Sequence, residues 1–149
     1  MSNKGDQLIN QLALLCAEDE WIYYQSSCFY ISSEAKNWTE SREYCLNREA
    51  DMIIINNRQK QDFVRKITDK RGFWIGVTDI DVEGTWKWVD GSTLTSGIWA
   101  SGEPNGEIRE NCAVTYLTYL PELIGWIDVA CDDAYQWICE KSILPHIQS

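Results

Sequence analysis

Six cysteines constrain the fold of this chain more than any other feature of its sequence. They are Cys16, Cys28, Cys45, Cys112, Cys131 and Cys139. None belongs to a closely spaced pair of the kind that binds zinc, so a disulfide framework formed in an oxidising compartment is the better interpretation. The spacing alone does not choose among the many pairings that six cysteines permit.

The length and charge of the chain argue against several classes of function. With 149 residues, 44% of them hydrophobic, the chain is long enough for one domain with a real core. Its formal net charge of -10 leaves no basic stripe for nucleic acid or for an anionic membrane surface. No apolar run reaches the roughly 18 residues of a membrane span, and no secretory signal is visible at the N-terminus.

Catalysis is poorly supported by the residue types present. His146 is the single histidine, so a histidine-based triad is not expected. Paired cysteines would leave no thiolate nucleophile. The sequence therefore predicts a binding protein and not an enzyme.

The N-terminal segment differs from the rest of the chain. Leu8, Leu12 and Leu15 follow the spacing of one helical face. Residues 1–15 are interpreted either as the last turns of a stalk, through which the chain could form a homo-oligomer, or as a frayed terminus. Residues 16–141 are expected to form the folded domain, and residues 142–149 a C-terminal tail.

The sequence pattern of residues 16–141 predicts an α+β domain, because helices come early and strands come late in the chain. Residues 37–50 and 56–69 predict two helices, the first capped by Asn37 with Glu40 three positions later. The strands are expected to pair in antiparallel sheets. Their predicted positions are residues 21–32, with a turn at Ser26-Ser27, and residues 50–57, 72–77, 85–92, 111–117, 125–131 and 135–141.

One long segment interrupts this pattern and collects acids, amides and glycine. Residues 92–111 have no regular periodicity, and a long irregular segment in a compact domain is usually functional. A hard cation such as Ca2+ prefers carboxylate and amide oxygens. Such oxygens are offered by Glu103, Asn105 and Glu110 in this segment and by Asp128 further along the chain.

Several motifs, in order along residues 16–141, resemble those of the C-type lectin-like domain. Phe73–Val77 (FWIGV) is similar to the family's WIGL motif, and Glu83–Ser92 (EGTWKWVDGS) is similar to the segment that follows it. Glu103–Asn105 (EPN) is similar to the mannose-type triplet, and Gly125–Asp128 (GWID) stands at the place of the W-N-D motif. The resemblance implies a long-form C-type lectin-like fold with three disulfides. It pairs Cys16 with Cys28, Cys45 with Cys139, and Cys112 with Cys131.

The resemblance also implies a function, which is Ca2+-dependent binding of glycans with equatorial 3- and 4-hydroxyls, of the mannose, fucose or N-acetylglucosamine type. It implies that the domain is extracellular, as part of a membrane receptor or a secreted protein, and that it takes part in recognition in innate immunity. The principal site for metal and sugar would comprise Glu103, Asn105, Glu110 and Asp128. A second, weaker calcium site would comprise Asp79, Glu83 and Asn111.

One position departs from the family pattern. Ile127 stands where the W-N-D motif has an asparagine that contacts both metal and sugar. Isoleucine has no side-chain oxygen, so weaker metal or sugar binding is expected. The alternative function is therefore a metal-independent receptor domain that binds a protein ligand.

Overall fold

The computed structural model describes residues 4–68, 72–82, 84–94, 111–116 and 125–143. Three helices lie in this part of the chain: α1, Lys4–Glu18; α2, Trp38–Leu46; and α3, Arg58–Thr68. The strands are β1, Ile22–Tyr24; β2, Ser27–Ile31; β3, Asp51–Met52; β4, Phe73–Thr78; β5, Lys87–Trp88; β6, Cys112–Tyr116; β7, Gly125–Val129; and β8, Gln136–Ser142. The α+β class predicted from the sequence is confirmed.

The helices follow local signals in the sequence. Asn37 caps α2 as predicted, because its Oδ1 accepts the backbone N–H of Glu40 at 2.8 Å. The helix ends before residue 50, where the left-handed Glu49 (φ 60) turns the chain out of the helix. α1 adds a third helix to the two predicted, and it runs past Cys16 to Glu18. Within the described ranges, no helix is long and apolar enough to cross a membrane.

The strands form one sheet in the order β1-β2-β8-β4-β6-β7, with β3 beside β8 and β5 beside β4. The pairs are antiparallel, as predicted, except that β4 runs parallel to β8. The β1–β2 turn lies one residue earlier than predicted, at Gln25 and Ser26. Both residues have positive φ (46 and 66), which matches the twist of a two-residue hairpin.

Tryptophans from the strands fill the core between these elements. Trp74, Trp126 and Trp137 are each 1% exposed or less. The indole N–H of Trp74 is satisfied by the Lys36 carbonyl at 2.7 Å, so its burial leaves no lost hydrogen bond. Burying a large apolar side chain contributes roughly 1.5–3 kcal/mol, which makes these residues major sources of stability.

Three disulfides join elements that lie far apart in the chain. Cys16–Cys28 connects the end of α1 to β2, and Cys45–Cys139 connects α2 to β8. Cys112–Cys131 connects the start of β6 to the residues after β7. These are the pairs that the family resemblance implied. The third pair holds the β6–β7 end of the sheet, where the predicted ligands Asn111 and Asp128 lie.

Candidate functional site

Three of the predicted metal ligands lie at one edge of the sheet. β4 ends, β6 begins and β7 ends at this edge, because β6 is antiparallel to both neighbours. Cys112, the first residue of β6, pairs with Thr78 on one side and Val129 on the other. The residues brought to this edge, called the edge residues below, are Asp79, Asn111 and Asp128.

Asp79 is a buried acid that the described residues satisfy only in part. Asp79 is the residue directly after β4, and it is 3% exposed. Oδ2 accepts the backbone N–H of Gly84 at 2.9 Å, and the positive φ of Gly84 (84°) suits glycine at this turn. Oδ1 has no hydrogen-bond partner among the described residues. A buried carboxylate in this situation is unfavourable unless a cation compensates its charge.

The backbone of Asn111 holds the end of β4 in place. Its carbonyl accepts the N–H of Asp79 at 3.1 Å and the hydroxyl of Thr78. The Thr78 hydroxyl oxygen in turn accepts the N–H of Ile80 at 3.2 Å. Asp79 and Asn111 are therefore fixed beside each other, although the second-site prediction named them from distant segments of the sequence.

Asp128 is also buried, at 4% exposed, and it lies opposite Ala113 in the β6–β7 ladder. Side chains alternate along a strand, so Asp128 shares a sheet face with Trp126. The indole N–H of Trp126 donates to Gln61 on α3 at 3.1 Å. The helix thus supports the strand that carries this carboxylate.

Ile127 lies on the opposite face of β7 from Asp128. It is partly buried and packs against an apolar cluster that includes Val114 and Trp137. This contact gives the isoleucine a packing role that an asparagine would not fill equally well. The residue that departs from the family pattern thus packs against the core near the end of β7.

The remaining predicted ligands fall outside the described residues. They are Glu83, Glu103, Asn105 and Glu110. In the described ranges, no group of three or more His, Cys, Asp or Glu residues lies close enough to hold a metal ion. The principal site therefore stays a prediction, with one of its four ligands, Asp128, placed in the structure.

Sequence reasoning did not identify the residues that support the edge residues. Thr78, Gly84 and Gln61 hold the ends of β4 and β7 through hydrogen bonds. The sequence carries a weak signal for Gly84 alone, since glycine is common in turns that need a positive φ. Gln61 gives no such signal, because its partner is 65 positions away.

Comparison with known proteins identifies relatives over most of the chain. The family model "Lectin C-type domain" matches residues 34–141. The chain is 36% identical over 137 residues to the mouse protein CD209 antigen-like protein A. The match covers 89% of this chain but only 55% of that protein, so the chain spans about half the length of this relative.

Solved structures show the same fold. One similar structure is the cow C-type carbohydrate-recognition domain of CD23 in the presence of GlcNAc2Man3 oligosaccharide. It is 34% identical with a TM-score of 0.73, covering 82% of this chain and 92% of that one. Another is a calcium-independent type II antifreeze protein, which is 25% identical with a TM-score of 0.73, covering 82% of this chain and 91% of that one.

Proposed function

Because this chain belongs to the C-type lectin domain family, we propose that it is a carbohydrate-recognition domain that binds glycans through Ca2+. The observation that carries the proposal is the pair of buried carboxylates, Asp79 and Asp128, at one edge of the sheet. Buried acids are rare unless they are paired or coordinate a metal. A hard cation at this edge would compensate the charge of Asp79, whose Oδ1 has no hydrogen-bond partner among the described residues.

The donor set fits calcium better than other metals. Calcium takes about six to eight oxygen ligands from carboxylates, amides, carbonyls and water. In the proposed principal site, Glu103, Asn105, Glu110 and Asp128 supply such oxygens. In the proposed second site, Asp79 and Asn111 lie side by side, and the Asp79 Oδ1 is an oxygen that a cation would satisfy.

The sugar class follows from the Glu-Pro-Asn triplet at residues 103–105. The residues named above would hold the calcium, which would supply Lewis-acid attraction for sugar hydroxyls. The carboxylates of the site would accept hydrogen bonds from those hydroxyls, and the amide of Asn105 would donate to their oxygens. We infer mannose, fucose or N-acetylglucosamine as the preferred residues. The CD23 structure was determined in the presence of an oligosaccharide that contains two of these sugars, which supports this choice.

A biological setting is part of the same proposal. The domain would act extracellularly, in a membrane receptor or a secreted protein, in glycan recognition of innate immunity. A single shallow site binds weakly, so clustering of several copies would raise avidity. Leu14 and Leu15 on α1 are 65% and 45% exposed, and their exposure supports a homo-oligomer formed through this helix.

One observation favours a second candidate function, a metal-independent domain that binds a protein. Ile127 removes a side-chain ligand from the proposed site and packs against the core instead. A relative of the same fold is described as calcium-independent, so the fold does not require the metal. The two candidates differ in whether calcium changes the stability of the domain.

Thermal unfolding in millimolar CaCl2 and in EDTA tests the proposal. Calcium that binds only the folded state at ten times its Kd adds about 1.4 kcal/mol, or a rise in Tm of roughly 3–5 °C for a domain of this size. Mannose or fucose should then add a further rise that galactose does not. No change with calcium would contradict the proposal and favour the protein-binding candidate.

Three variants sharpen this experiment. Glu110→Gln should abolish the calcium-dependent rise, because the amide is neutral and a poorer ligand for Ca2+. Asp62→Asn, which changes an exposed acid on α3, is the matched control and should keep the rise. Ile127→Asn should lower stability in EDTA by about 1 kcal/mol through lost packing, yet strengthen calcium and mannose binding. A protein-binding domain would show only the first of these two effects.

A further inference from the structure

A second concave site lies away from the edge residues. A cavity of about 770 Å3 opens between the end of α1, β2, the end of α2 and the end of β8. Its aromatic lining residues are Trp21, Tyr30 and Tyr44. The Cys16–Cys28 disulfide is part of the wall and fixes α1 against β2. This cavity, called the aromatic pocket below, has a volume typical of binding sites for small ligands or short peptide segments.

The aromatic rings form a continuous, uncharged floor. The Trp21 and Tyr30 ring centroids are 5.7 Å apart, and Tyr30 stacks on Tyr44 at 5.1 Å. A hydrogen bond with Tyr44, together with burial, raises the pKa of Tyr30 to about 12. Tyr30 therefore stays neutral at physiological pH, and the floor presents π-faces without a charge of its own.

The positive charges that line the pocket are already engaged. The Arg48 guanidinium lies 3.5 Å from the Tyr44 ring centroid, and it donates to the Tyr44 carbonyl at 3.2 Å. Lys141 pairs with Glu49 at 3.6 Å. The contact of Arg48 shows that this floor accepts a stacked guanidinium, because the ring face is negative and the cation is planar.

The acidic charges on the rim are not balanced in the same way. Glu18, Asp19 and Glu20 line the pocket, and none forms an ion pair within the described part of the chain. They lie at the C-terminal end of α1, where the helix dipole is negative and no basic residue is present in the last turn. Glu20 also has a left-handed backbone (φ 63), which is unfavourable for a residue with a side chain.

The three rim carboxylates are exposed and carry like charge, so they give the mouth of the pocket a negative potential that attracts cations. A cation bound between the acidic rim and the aromatic floor would relieve the repulsion. An anion would meet three unbalanced carboxylates. The charge of the rim and the chemistry of the floor therefore select the same class of ligand.

We propose that the aromatic pocket binds an arginine side chain in a basic peptide segment of a partner protein. The guanidinium would stack on the exposed face of the floor beside Trp21, as Arg48 stacks on Tyr44, while Glu18 and Asp19 accept its N–H groups. The volume leaves room for the residues that flank the arginine. This binding does not use the edge residues and does not require calcium.

Nuclear magnetic resonance titration of the intact chain in EDTA tests the proposal. The probe is the acetylated and amidated peptide Gly-Arg-Gly, and the readout is the indole N–H signal of Trp21, assigned with Trp21→Phe. The other seven tryptophan indoles are internal controls, since the chain has 8 tryptophans. The arginine peptide should shift the Trp21 signal with saturation, whereas the same peptide with citrulline, a neutral isostere, should not. Equal shifts with both peptides would overturn the proposal.

Two triple variants separate specific from general electrostatic binding. Glu18→Gln/Asp19→Asn/Glu20→Gln should bind the arginine peptide about tenfold more weakly, because rim charges each contribute modestly. Asp62→Asn/Asp132→Asn/Asp133→Asn changes the net charge equally but removes exposed acids that do not line the pocket, so its affinity should change less than about twofold. Dispersed spectra confirm that both variants fold. Equal weakening in the two variants would show that only net charge attracts the peptide, and would contradict a site.

A third arm identifies the source of the guanidinium. Butylguanidinium carries the same single guanidinium charge without a peptide backbone. The peptide should bind at least about fivefold more tightly than butylguanidinium if flanking residues also contact the pocket. Equal affinities would overturn the assignment of a peptide ligand. Because the whole titration is done in EDTA, its failure is distinct from a failure of the proposed calcium-dependent function.

Discussion

Two carboxylates of this domain, one partly buried and one fully buried, differ in how completely the protein compensates their charge. Glu140 on β8 receives the Lys60 ammonium at 2.6 Å and 2.7 Å, the Ile54 N–H at 3.2 Å and the Ser27 hydroxyl at 3.4 Å. Asp79 at the end of β4 receives the Gly84 N–H at 2.9 Å, and its Oδ1 has no partner in the described part of the chain.

This difference distinguishes a carboxylate that stabilises the fold, Glu140, from a carboxylate that could bind a ligand, Asp79. The environment of Glu140 supplies a counter-ion and hydrogen bonds to both oxygens, so the group links α3, β2 and β8 without outside help. Asp79 is more deeply buried yet less completely satisfied. An acid of this second kind is where a cation contributes stability, and the predictions below test that contrast.

The largest effect is expected when the compensated pair is broken. Lys60→Met leaves the Glu140 carboxylate without its counter-ion, and the free energy of unfolding should fall by about 3 kcal/mol, in both calcium and EDTA. Urea unfolding followed by tryptophan fluorescence measures this change. The matched control is Glu49→Gln, which breaks the exposed pair with Lys141 and should change stability by less than about 0.5 kcal/mol.

A double variant isolates the cause. Lys60→Met/Glu140→Leu removes both charges, so it should regain at least about half of the stability that Lys60→Met alone loses. If the double variant is less stable than the single one, packing around Lys60, and not its charge, supports the fold. The contrast with Asp79 would then lose its basis.

A change in stability of intermediate size is expected at Asp79. Asp79→Asn keeps an oxygen for the Gly84 N–H but removes the buried charge, so in EDTA the stability should stay equal or rise by up to about 1 kcal/mol. In millimolar CaCl2 the variant should gain less stability than the native chain. The control is Asp51→Asn, which weakens the half-buried pair with Arg42 and should lower stability slightly in both conditions. A loss above about 2 kcal/mol in EDTA would make Asp79 a structural acid like Glu140.

The smallest effect concerns Tyr30, a partly buried group without charge. Tyr30 has its pKa raised to about 12 by the hydrogen bond with Tyr44, so the folded state holds this proton more tightly than the unfolded state. This stability is fully present below about pH 10 and is lost as the pH rises towards 12. In native protein, the absorbance change of phenolate at 295 nm should therefore include one late step that Tyr30→Phe removes. Identical titration curves above pH 10 would contradict the assignment.

The sequence predicted the site less completely than the fold, for a physical reason that two residues illustrate. Asn37 was recognised as a helix cap because its partner, Glu40, is three positions away. Ile127 was recognised as a departure from the family pattern, but its packing depends on residues from other strands. The principal ligands Glu103, Asn105 and Glu110 stay predictions, because they lie outside the described residues.

Local chemistry accounts for much of what could be recognised beforehand. It includes the cap at Asn37 and the turn between the first two strands, which was predicted to within one residue. These features depend on neighbours within a few positions, so short patterns carry them. The satisfaction of each acid depends instead on residues brought from elsewhere in the chain. Glu140 meets a lysine 80 positions away, whereas Asp79 meets the backbone of Asn111 and keeps one oxygen unsatisfied among the described residues. Only the packed arrangement of strands and helices distinguishes two carboxylates that look alike in the sequence.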